Sequence, residues 1–336
     1  MNRALANLAL LAISLAIAGG GSEFVLRARF GSPPTWTFPQ ESYVPDALLG
    51  YWLKPEQHAF THDQPVETNS LGFRDQNYPR ELAPGVRRLL ALGDSETFGN
   101  GLALADTWPK QLERQLLQDD GTVRWEVVNA GLPGSATWQQ EILLRRVFDA
   151  YSFRGVVLGF YVNDVIPVSA GPQASPAGLT NTLSKRAAYL LKRSALLLAT
   201  WQARDTIRAW LSGKHNSWEE KILTGDDDPL IEAGWQQVER SLEAMKRFAD
   251  EHDLRFWLVA LPRRDQVDGA QVGRAYQRRL ATISARLGIL FFDALPVLEA
   301  GYAEHGDQLF IPWDGHNSAV ANAAIAKELA RFITGG

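Results

Sequence analysis

The stretch that decides the fold is residues 88–101, which read Arg-Leu-Leu-Ala-Leu-Gly-Asp-Ser-Glu-Thr-Phe-Gly-Asn-Gly. Its first five residues are a short apolar run that predicts a buried strand, and the run stops at Gly93-Asp94-Ser95. A strand with this ending places the serine hydroxyl at the carboxyl edge of a sheet, where open α/β sheets bind ligands. Because Asp and Ser are also common turn residues, this stretch alone leaves a plain turn as an alternative.

Apolar strands alternate with amphipathic helices along the rest of the chain. Strands are predicted near residues 88–92, 125–129, 155–160, 256–261 and 289–293, and helices near 107–118, 137–150 and 318–333. The apolar sides of the first and last helices are expected to carry Leu112, Leu116, Leu117, Ala321, Ala324, Ile325, Leu329 and Phe332. This alternation is typical of a parallel sheet covered by helices on both faces, so the sequence predicts an α/β fold.

The composition bounds the class of protein. With 336 residues, of which 46% are hydrophobic, the chain has room for one large α/β domain with additions or for two modest domains. A net charge of −4 gives no indication of a nucleic-acid partner. The absence of cysteine excludes disulfides, thiolate catalysis and cysteine-based metal sites. No dense group of histidines and carboxylates has the spacing of metal ligands, so no metal is expected.

Residues 1–26 are predicted to be a signal peptide or a membrane anchor. An apolar span of about 18 residues lies between the length of a signal-peptide core and that of a transmembrane helix. Ala16-Ile17-Ala18 resembles a cleavage site, whereas Phe24-Val25-Leu26 before Arg27 and Arg29 resembles the end of an uncleaved anchor. Both alternatives place the rest of the chain outside the cytoplasm, either held at the membrane or secreted.

Residues 27–86 are predicted to be an irregular extension, rich in Pro, Gly and aromatic residues, that packs across the edge of the sheet. Within it lies Asn69-Ser70-Leu71-Gly72-Phe73-Arg74-Asp75. Arg74 is expected to pair with a carboxylate. The alternative is that Arg74 or Asp75 lies near a substrate.

Residues 87–336 are predicted to be the main domain, interrupted by an insertion at about 166–228. Residues 167–175 have the composition of a loop, and Leu183 to Leu211 has a helical pattern in which leucines alternate with Lys and Arg. Residues 226–229, Asp-Asp-Asp-Pro, are expected to end the insertion. The insertion is interpreted as a helical hairpin packed on the domain, with a lid or a membrane-surface helix as alternatives.

Polar groups follow four of the predicted elements and are expected to meet at one edge of the sheet. Ser95, Gly134 and Asn163 follow the first three strands, and Asp314 and His316 come just before the last helix. Serine needs a base to become a nucleophile, histidine has nearly the right basicity, and an acid orients the imidazole. Glycine N–H and the asparagine amide are donors suited to an oxyanion. Together these groups predict a nucleophilic serine site.

These blocks resemble the SGNH (GDSL) hydrolase superfamily, and a branch of it in which an apolar N-terminal segment and a Leu-Gly-Phe-Arg-Asp element precede Gly-Asp-Ser. The matching pieces run from about residue 69 to 333. The resemblance implies that Ser95 is the nucleophile and His316 the base, with Gly134 and Asn163 in the oxyanion hole together with the Ser95 N–H. Gly131 is the runner-up to Gly134.

Two positions depart from the family pattern. Asp314-Gly315-His316 is one residue shorter than the usual Asp-x-x-His, which leaves open a shifted loop with Asp314 as the orienting acid or a serine–histidine dyad. Glu96 stands where Leu or Phe often follows the serine. It therefore places a charge beside the site and argues against a purely lipid substrate.

The resemblance implies a flavodoxin-like three-layer α/β/α sandwich with a five-stranded parallel sheet, and ester hydrolysis without a cofactor. The rival Gly-x-Ser-x-Gly pattern is absent around Ser95. The leading hypothesis is a carboxylester hydrolase that forms an acyl-Ser95 intermediate on a small-molecule or polysaccharide ester. The alternatives are an O-acyltransferase acting on an envelope or secreted polysaccharide and a noncatalytic glycan-binding module.

Overall fold

The computed structural model describes residues 3–119, 123–165, 183–211, 218–268 and 273–335. The helices are α1 Arg3–Phe30, α2 Ser95–Phe98, α3 Trp108–Asp119, α4 Thr137–Ala150, α5 Leu183–Leu191, α6 Ala195–Leu211, α7 Trp218–Thr224, α8 Pro229–Glu251, α9 Arg264–Val267, α10 Ala275–Leu287, α11 Leu295–His305 and α12 Ala319–Gly335. The strands are β1 Tyr43–Asp46, β2 Gly50–Leu53, β3 His58–Thr61, β4 Gln64–Glu67, β5 Val86–Gly93, β6 Arg124–Gly131, β7 Gly155–Phe160, β8 Arg255–Ala260 and β9 Leu290–Asp293. The predicted loop at 167–175 lies outside the described residues.

The central sheet has five parallel strands in the order β6-β5-β7-β8-β9. The first strand of the sheet in the chain therefore lies between the second and the third, which is the flavodoxin-like order. Gly93 is paired with Gly131 on one side and with Gly159 on the other. The predicted α/β/α sandwich with a five-stranded parallel sheet is confirmed.

Helices cover both faces of the sheet. Side chains alternate along β5, so that Leu90 and Leu92 belong to one apolar cluster and Leu89 and Ala91 to the other. The first cluster includes α4, α8 and α10, and the second includes α3, α11 and α12. The five predicted strands and three predicted helices are present, with bounds shifted by at most a few residues.

Two of the predicted apolar-face residues are wrong. Leu117 is 41% exposed and Phe332 is 36% exposed. Leu117 directly follows the buried Leu116 and Phe332 directly precedes the buried Ile333, and consecutive residues of a helix point about 100° apart. The apolar arc predicted from the sequence is therefore wider than the face that the sheet covers.

The extension contains regular structure that the sequence analysis missed. β1 pairs with β2 and β3 with β4, each as an antiparallel hairpin. The first hairpin turns where the Asp46 carboxylate accepts the N–H groups of Leu48 and Leu49, at 3.0 and 2.9 Å. Tyr51 and Val66 from these hairpins are buried in the same apolar cluster as Leu90.

Residues 183–211 of the insertion, predicted as one helical stretch, form two helices, and α7 follows them. α5 ends at Leu191 and α6 begins at Ala195, with Ser194 accepting the N–H of Leu197 at 3.2 Å. The acidic run at 226–228 begins the next helix, since the Asp228 carboxylate accepts the N–H of Leu230 at the start of α8.

Candidate active site

Ser95 lies at the carboxyl edge of the sheet, as the first residue of α2. The chain turns sharply there because Gly93 has φ of 150°, and a Cβ at Gly93 would lie 2.1 Å from Thr97 Oγ1 and 2.6 Å from the Gly159 carbonyl. The buried Asp94 carboxylate accepts the Glu96 N–H at 2.9 Å and so starts the helical turn. Only glycine fits at position 93, and this turn presents the Ser95 hydroxyl at the edge.

His316 and Asp314 complete the arrangement around Ser95. The Ser95 hydroxyl lies 2.9 Å from His316 Nε2, and His316 Nδ1 is hydrogen-bonded to Asp314 Oδ1. Trp313 and Gly315 both have positive φ, at 65° and 91°, and form a tight turn. This turn brings the Asp314 carboxylate to the imidazole with one intervening residue. Of the two explanations for the short spacing, the geometry has the form of a shifted loop.

A second histidine contacts the same carboxylate and was missed from the sequence. His62 Nε2 lies 3.3 Å from Asp314 Oδ2, and the His62 side chain is almost fully buried. His62 has φ of 54°, and the Gln40 side chain holds its backbone through both the N–H and the carbonyl. No local signal pointed to His62, because it lies in the turn of a hairpin far along the chain from Asp314.

Buried carboxylates set the electrostatics of the site. Burial disfavours the charged form of His316, but Asp314, Glu96 and Asp94 outweigh burial and raise the pKa of the imidazole. Burial also disfavours ionisation of Asp314, yet His316 and His62 hold its pKa well below the usual range. Burial raises the pKa of Glu96 to about 7, and Asp94 adds to this while His316 opposes it.

Asn163 is linked to the site by a hydrogen bond to Asp94, the residue before Ser95. It lies in the short turn Val162–Val165 that follows β7, and its Nδ2 donates to Asp94 Oδ2 at 2.8 Å. A carboxamide has two N–H donors, so one remains after this bond. The neighbouring Asp164 accepts from Tyr161 N and Gln140 Nε2, at 2.7 and 2.6 Å, which agrees with the structural role inferred from the sequence.

The two candidate oxyanion glycines differ in their surroundings. The Gly131 N–H donates to the Asn129 side chain at 3.1 Å, and a Cβ on Gly131 would lie 2.2 Å from the Phe98 nitrogen. Gly134 has φ of 73° and lies in the loop after β6, which is bonded to the Gly93 carbonyl through Leu132 N. Close packing explains why a glycine stands at position 131, and the Gly131 N–H is already bonded to Asn129. Gly134 is therefore the better candidate for the oxyanion donor.

Among the residues that the structure describes, Arg74 forms no ion pair with a carboxylate, contrary to the prediction. Its guanidinium donates to four backbone carbonyls, those of Pro65, Phe98, Gly99 and Leu102, at 2.6–3.0 Å. Three of these carbonyls lie in or just after α2. The planar fork of donors suits several fixed acceptors at once, so Arg74 holds the loop that follows Ser95 and α2. Asp75 accepts the N–H of Asn129 in the edge strand β6 at 2.9 Å.

Two cavities open beside the site. One of about 410 Å³ is lined largely by polar side chains, including Glu96, Tyr161, Glu219, Arg263 and His316. The other, of about 1020 Å³, lies between α1, α6 and the loop that carries Asp314. Within the part of the chain that the structure describes, no group of three or more His, Asp or Glu side chains is placed to hold a metal ion.

Comparison with known proteins gives similarity to solved structures alone. No family model and no curated protein matches the chain. The solved structure of TesA is 16% identical, with 74% of this chain and 99% of that one covered and a TM-score of 0.45. The psychrotrophic esterase EstA from Pseudoalteromonas sp. is 14% identical, with 74% of this chain and 97% of that one covered and a TM-score of 0.43. AlinE4, an SGNH-hydrolase family esterase, is 15% identical, with 68% of this chain and 84% of that one covered and a TM-score of 0.38.

The chain is similar to these solved structures, one of which is an SGNH-hydrolase family esterase. At these identities and TM-scores, a shared activity does not follow from the similarity.

Proposed function

We propose that the protein is a serine-dependent carboxylester hydrolase of the SGNH type that acts outside the cytoplasm. The observation that carries this proposal is the Ser95 hydroxyl at 2.9 Å from His316 Nε2, with Asp314 on the other ring nitrogen. Such an arrangement provides a nucleophile, a base and an orienting acid in contact. The names of the similar esterases point the same way.

The reaction begins when Ser95 Oγ attacks the ester carbonyl while neutral His316 takes the hydroxyl proton. The oxyanion is stabilised by the N–H groups of Ser95 and Gly134 and by the free amide proton of Asn163. His316 then gives its proton to the departing alcohol, which leaves acyl-Ser95. Water, activated by the same imidazole, releases the carboxylic acid and restores Ser95.

An O-acyltransferase is the second candidate, and one observation favours it. The polar cavity of about 410 Å³ beside His316 has room for a hydroxyl acceptor such as a sugar. In that reaction the acceptor hydroxyl replaces water in the attack on acyl-Ser95. The substrate ester would then be a small-molecule or polysaccharide ester, and no cofactor enters either reaction.

The test is labelling of the full chain with a fluorophosphonate, with peptide mapping, and hydrolysis of p-nitrophenyl acetate. Ser95→Ala should abolish both, whereas Ser152→Ala, at an exposed serine, should change neither. Substantial labelling or turnover in the Ser95 variant would refute the assignment, and a folded wild-type protein that does neither would favour a noncatalytic glycan-binding module. Acetyl transfer to an oligosaccharide in excess of hydrolysis would favour the transferase.

A further inference from the structure

Helix α1 indicates where a bilayer would lie relative to the rest of the molecule. It is long and apolar enough to cross a membrane, with a mean hydropathy of 1.8, and none of its side chains is buried. Its charges beyond Arg3 are Glu23, Arg27 and Arg29, all in its last two turns. The 20 residues before Glu23 span about 30 Å, which matches the hydrocarbon thickness of a bilayer. A bilayer that holds α1 would therefore have its boundary close to Glu23.

The insertion is attached to α1 at this boundary. The Glu23 carboxylate accepts hydrogen bonds from Ser194 Oγ, Ala195 N and Leu196 N, at 2.8–3.0 Å, and so caps the start of α6. Arg27 donates to Glu23 and to the Arg193 carbonyl, both at 2.6 Å. Residues 190–197, named here the α5–α6 corner, consequently lie at the level of Glu23.

The surface of the α5–α6 corner combines exposed apolar and basic side chains. Leu191 is 60% exposed and Leu197 is 47% exposed, and Leu190 is exposed beside them. Lys192 and Arg193 lie between these leucines in the chain. Exposed leucines beside basic residues are typical of segments that enter the headgroup region of a bilayer and attract anionic lipids.

The loop 312–315, which carries Asp314, lies a short distance beyond the level of Glu23, on the side away from the apolar part of α1. From Glu23, α1 continues for seven residues to Phe30, a rise of about 10 Å. The Phe30 ring packs edge-to-face on Trp313 at 5.6 Å, and Trp313 Nε1 donates to the Gly31 carbonyl at 2.9 Å. The cavity of about 1020 Å³ lies between, with Leu26 and Ala199 on one side and the loop 312–315 on the other.

From these placements we infer that the α5–α6 corner contacts the surface of the bilayer that holds α1, and that Ser95 acts on an ester carried by an amphiphile at that surface. The second part rests on the proposed hydrolase function. The apolar part of the amphiphile stays in the bilayer, and its ester enters through the cavity between α1, α6 and the loop 312–315. The lining beside His316, which includes Glu96, Glu219 and Arg263, then receives the polar head.

The contact is tested with single spin labels on the full chain in nanodiscs of equal parts phosphatidylcholine and phosphatidylglycerol. Because the chain has no cysteine, Leu191→Cys is labelled uniquely, and Leu117→Cys on α3 is the matched control at another exposed leucine. The label at 191 should be relaxed more by oxygen than by a nickel chelate, and the label at 117 more by the chelate. Equal access of the chelate to both labels would overturn the membrane contact.

The substrate class is tested with Leu191→Glu/Leu197→Glu, which should disfavour the corner at an anionic surface. Hydrolysis of 4-methylumbelliferyl palmitate embedded in the nanodiscs should fall roughly tenfold or more, while that of p-nitrophenyl acetate in solution stays unchanged. If this variant, Leu117→Glu and the wild type hydrolyse the embedded ester at equal rates, the proposal that the substrate is taken from the membrane surface is overturned. If the wild type hydrolyses neither ester, the proposed function fails, and the spin labels still decide the membrane contact.

Discussion

Asp314 is held between two imidazoles, with His316 on one carboxylate oxygen and His62 on the other. The spacing from Asp314 to His316 is one residue shorter than in the Asp-x-x-His pattern that the sequence resembles. The second histidine, His62, comes from the N-terminal extension. His62 is itself confined, because its ring lies 4.3 Å from Trp36 and a Cβ on Gly101 would approach its Nδ1 to 2.4 Å. The orientation of Asp314 therefore depends on residues outside the main domain.

Asp314→Asn should lower activity and shift its pH dependence. In the proposed reaction only neutral His316 accepts the serine proton, and the Asp314 carboxylate raises the pKa of His316. Wild-type kcat/KM should therefore fall, as the pH is lowered, through a pKa above the ordinary value of about 6.5. In the variant this limb should move to lower pH, and the maximal rate should drop by roughly 10³–10⁴. A pH–rate profile on p-nitrophenyl acetate measures both, and an unmoved acid limb would contradict this account.

Replacement of His62 separates positioning from simple packing. His62→Leu leaves Asp314 Oδ2 without its partner and should lower kcat by roughly 10- to 100-fold with little change in KM. His62→Gln retains an N–H donor and should recover a large part of kcat. Steady-state kinetics on p-nitrophenyl acetate make the comparison, and equal losses in the two variants would show that His62 acts through packing alone.

At the scale of elements, the site depends on how closely α2 packs on the sheet edge. Gly131 and Gly159 end or nearly end the neighbouring strands, and a Cβ on Gly159 would lie 2.8 Å from Thr97 Oγ1. Small residues at this edge allow the turn after β5 to cross it directly. Arg74 then secures the far end of α2 through the carbonyls of Phe98, Gly99 and Leu102.

Arg74→Met should destabilise the fold strongly. The substitution removes the donors for three buried carbonyls and for the part-buried carbonyl of Pro65, and the cost should reach about 3 kcal/mol or more in the free energy of unfolding. Arg331→Met removes an exposed arginine on α12 that pairs with Glu328, and should cost within about 0.5 kcal/mol. Urea denaturation of the full chain in detergent, followed by tryptophan fluorescence, measures the difference. Similar losses in both variants would mean that the carbonyl contacts contribute little.

At the scale of the whole molecule, buried carboxylates make stability depend on pH. Burial raises the pKa of Glu96 to about 7, above its unfolded value of 4.5, so the folded state binds more protons between these values. The contribution of Glu96 is therefore most favourable at low pH and is lost as the pH rises through about 7. Asp94 and Asp164 are buried carboxylates whose pKa values burial also raises.

Glu96→Gln should consequently stabilise the protein more at pH 8 than at pH 5. Glutamine keeps an acceptor for the Asn317 N–H, which Glu96 receives at 3.2 Å, and carries no charge to bury. The gain in the free energy of unfolding should be larger at pH 8 by on the order of 2 kcal/mol. Urea denaturation of the wild type and the variant at both pH values tests this, and an equal difference at the two would count against a raised pKa.

The sequence by itself determined the fold class, the five strands of the sheet and the groups that meet as Ser95, His316 and Asp314. These features follow from local signals, since strand and helix periods span a few residues and parallel strands bring their carboxyl ends to one edge. It also singled out Arg74, although with the wrong partner.

Only the tertiary structure decided which distant groups touch. The contact of His62 with Asp314, the carbonyls around Arg74, and the cap that Glu23 places on α6 each join segments far apart in the chain. The turn Trp313–Gly315 likewise packs against the end of α1, through Phe30 and the Gly31 carbonyl. Such contacts leave no periodic or spacing signal in one sequence, because they arise when separately encoded elements pack together.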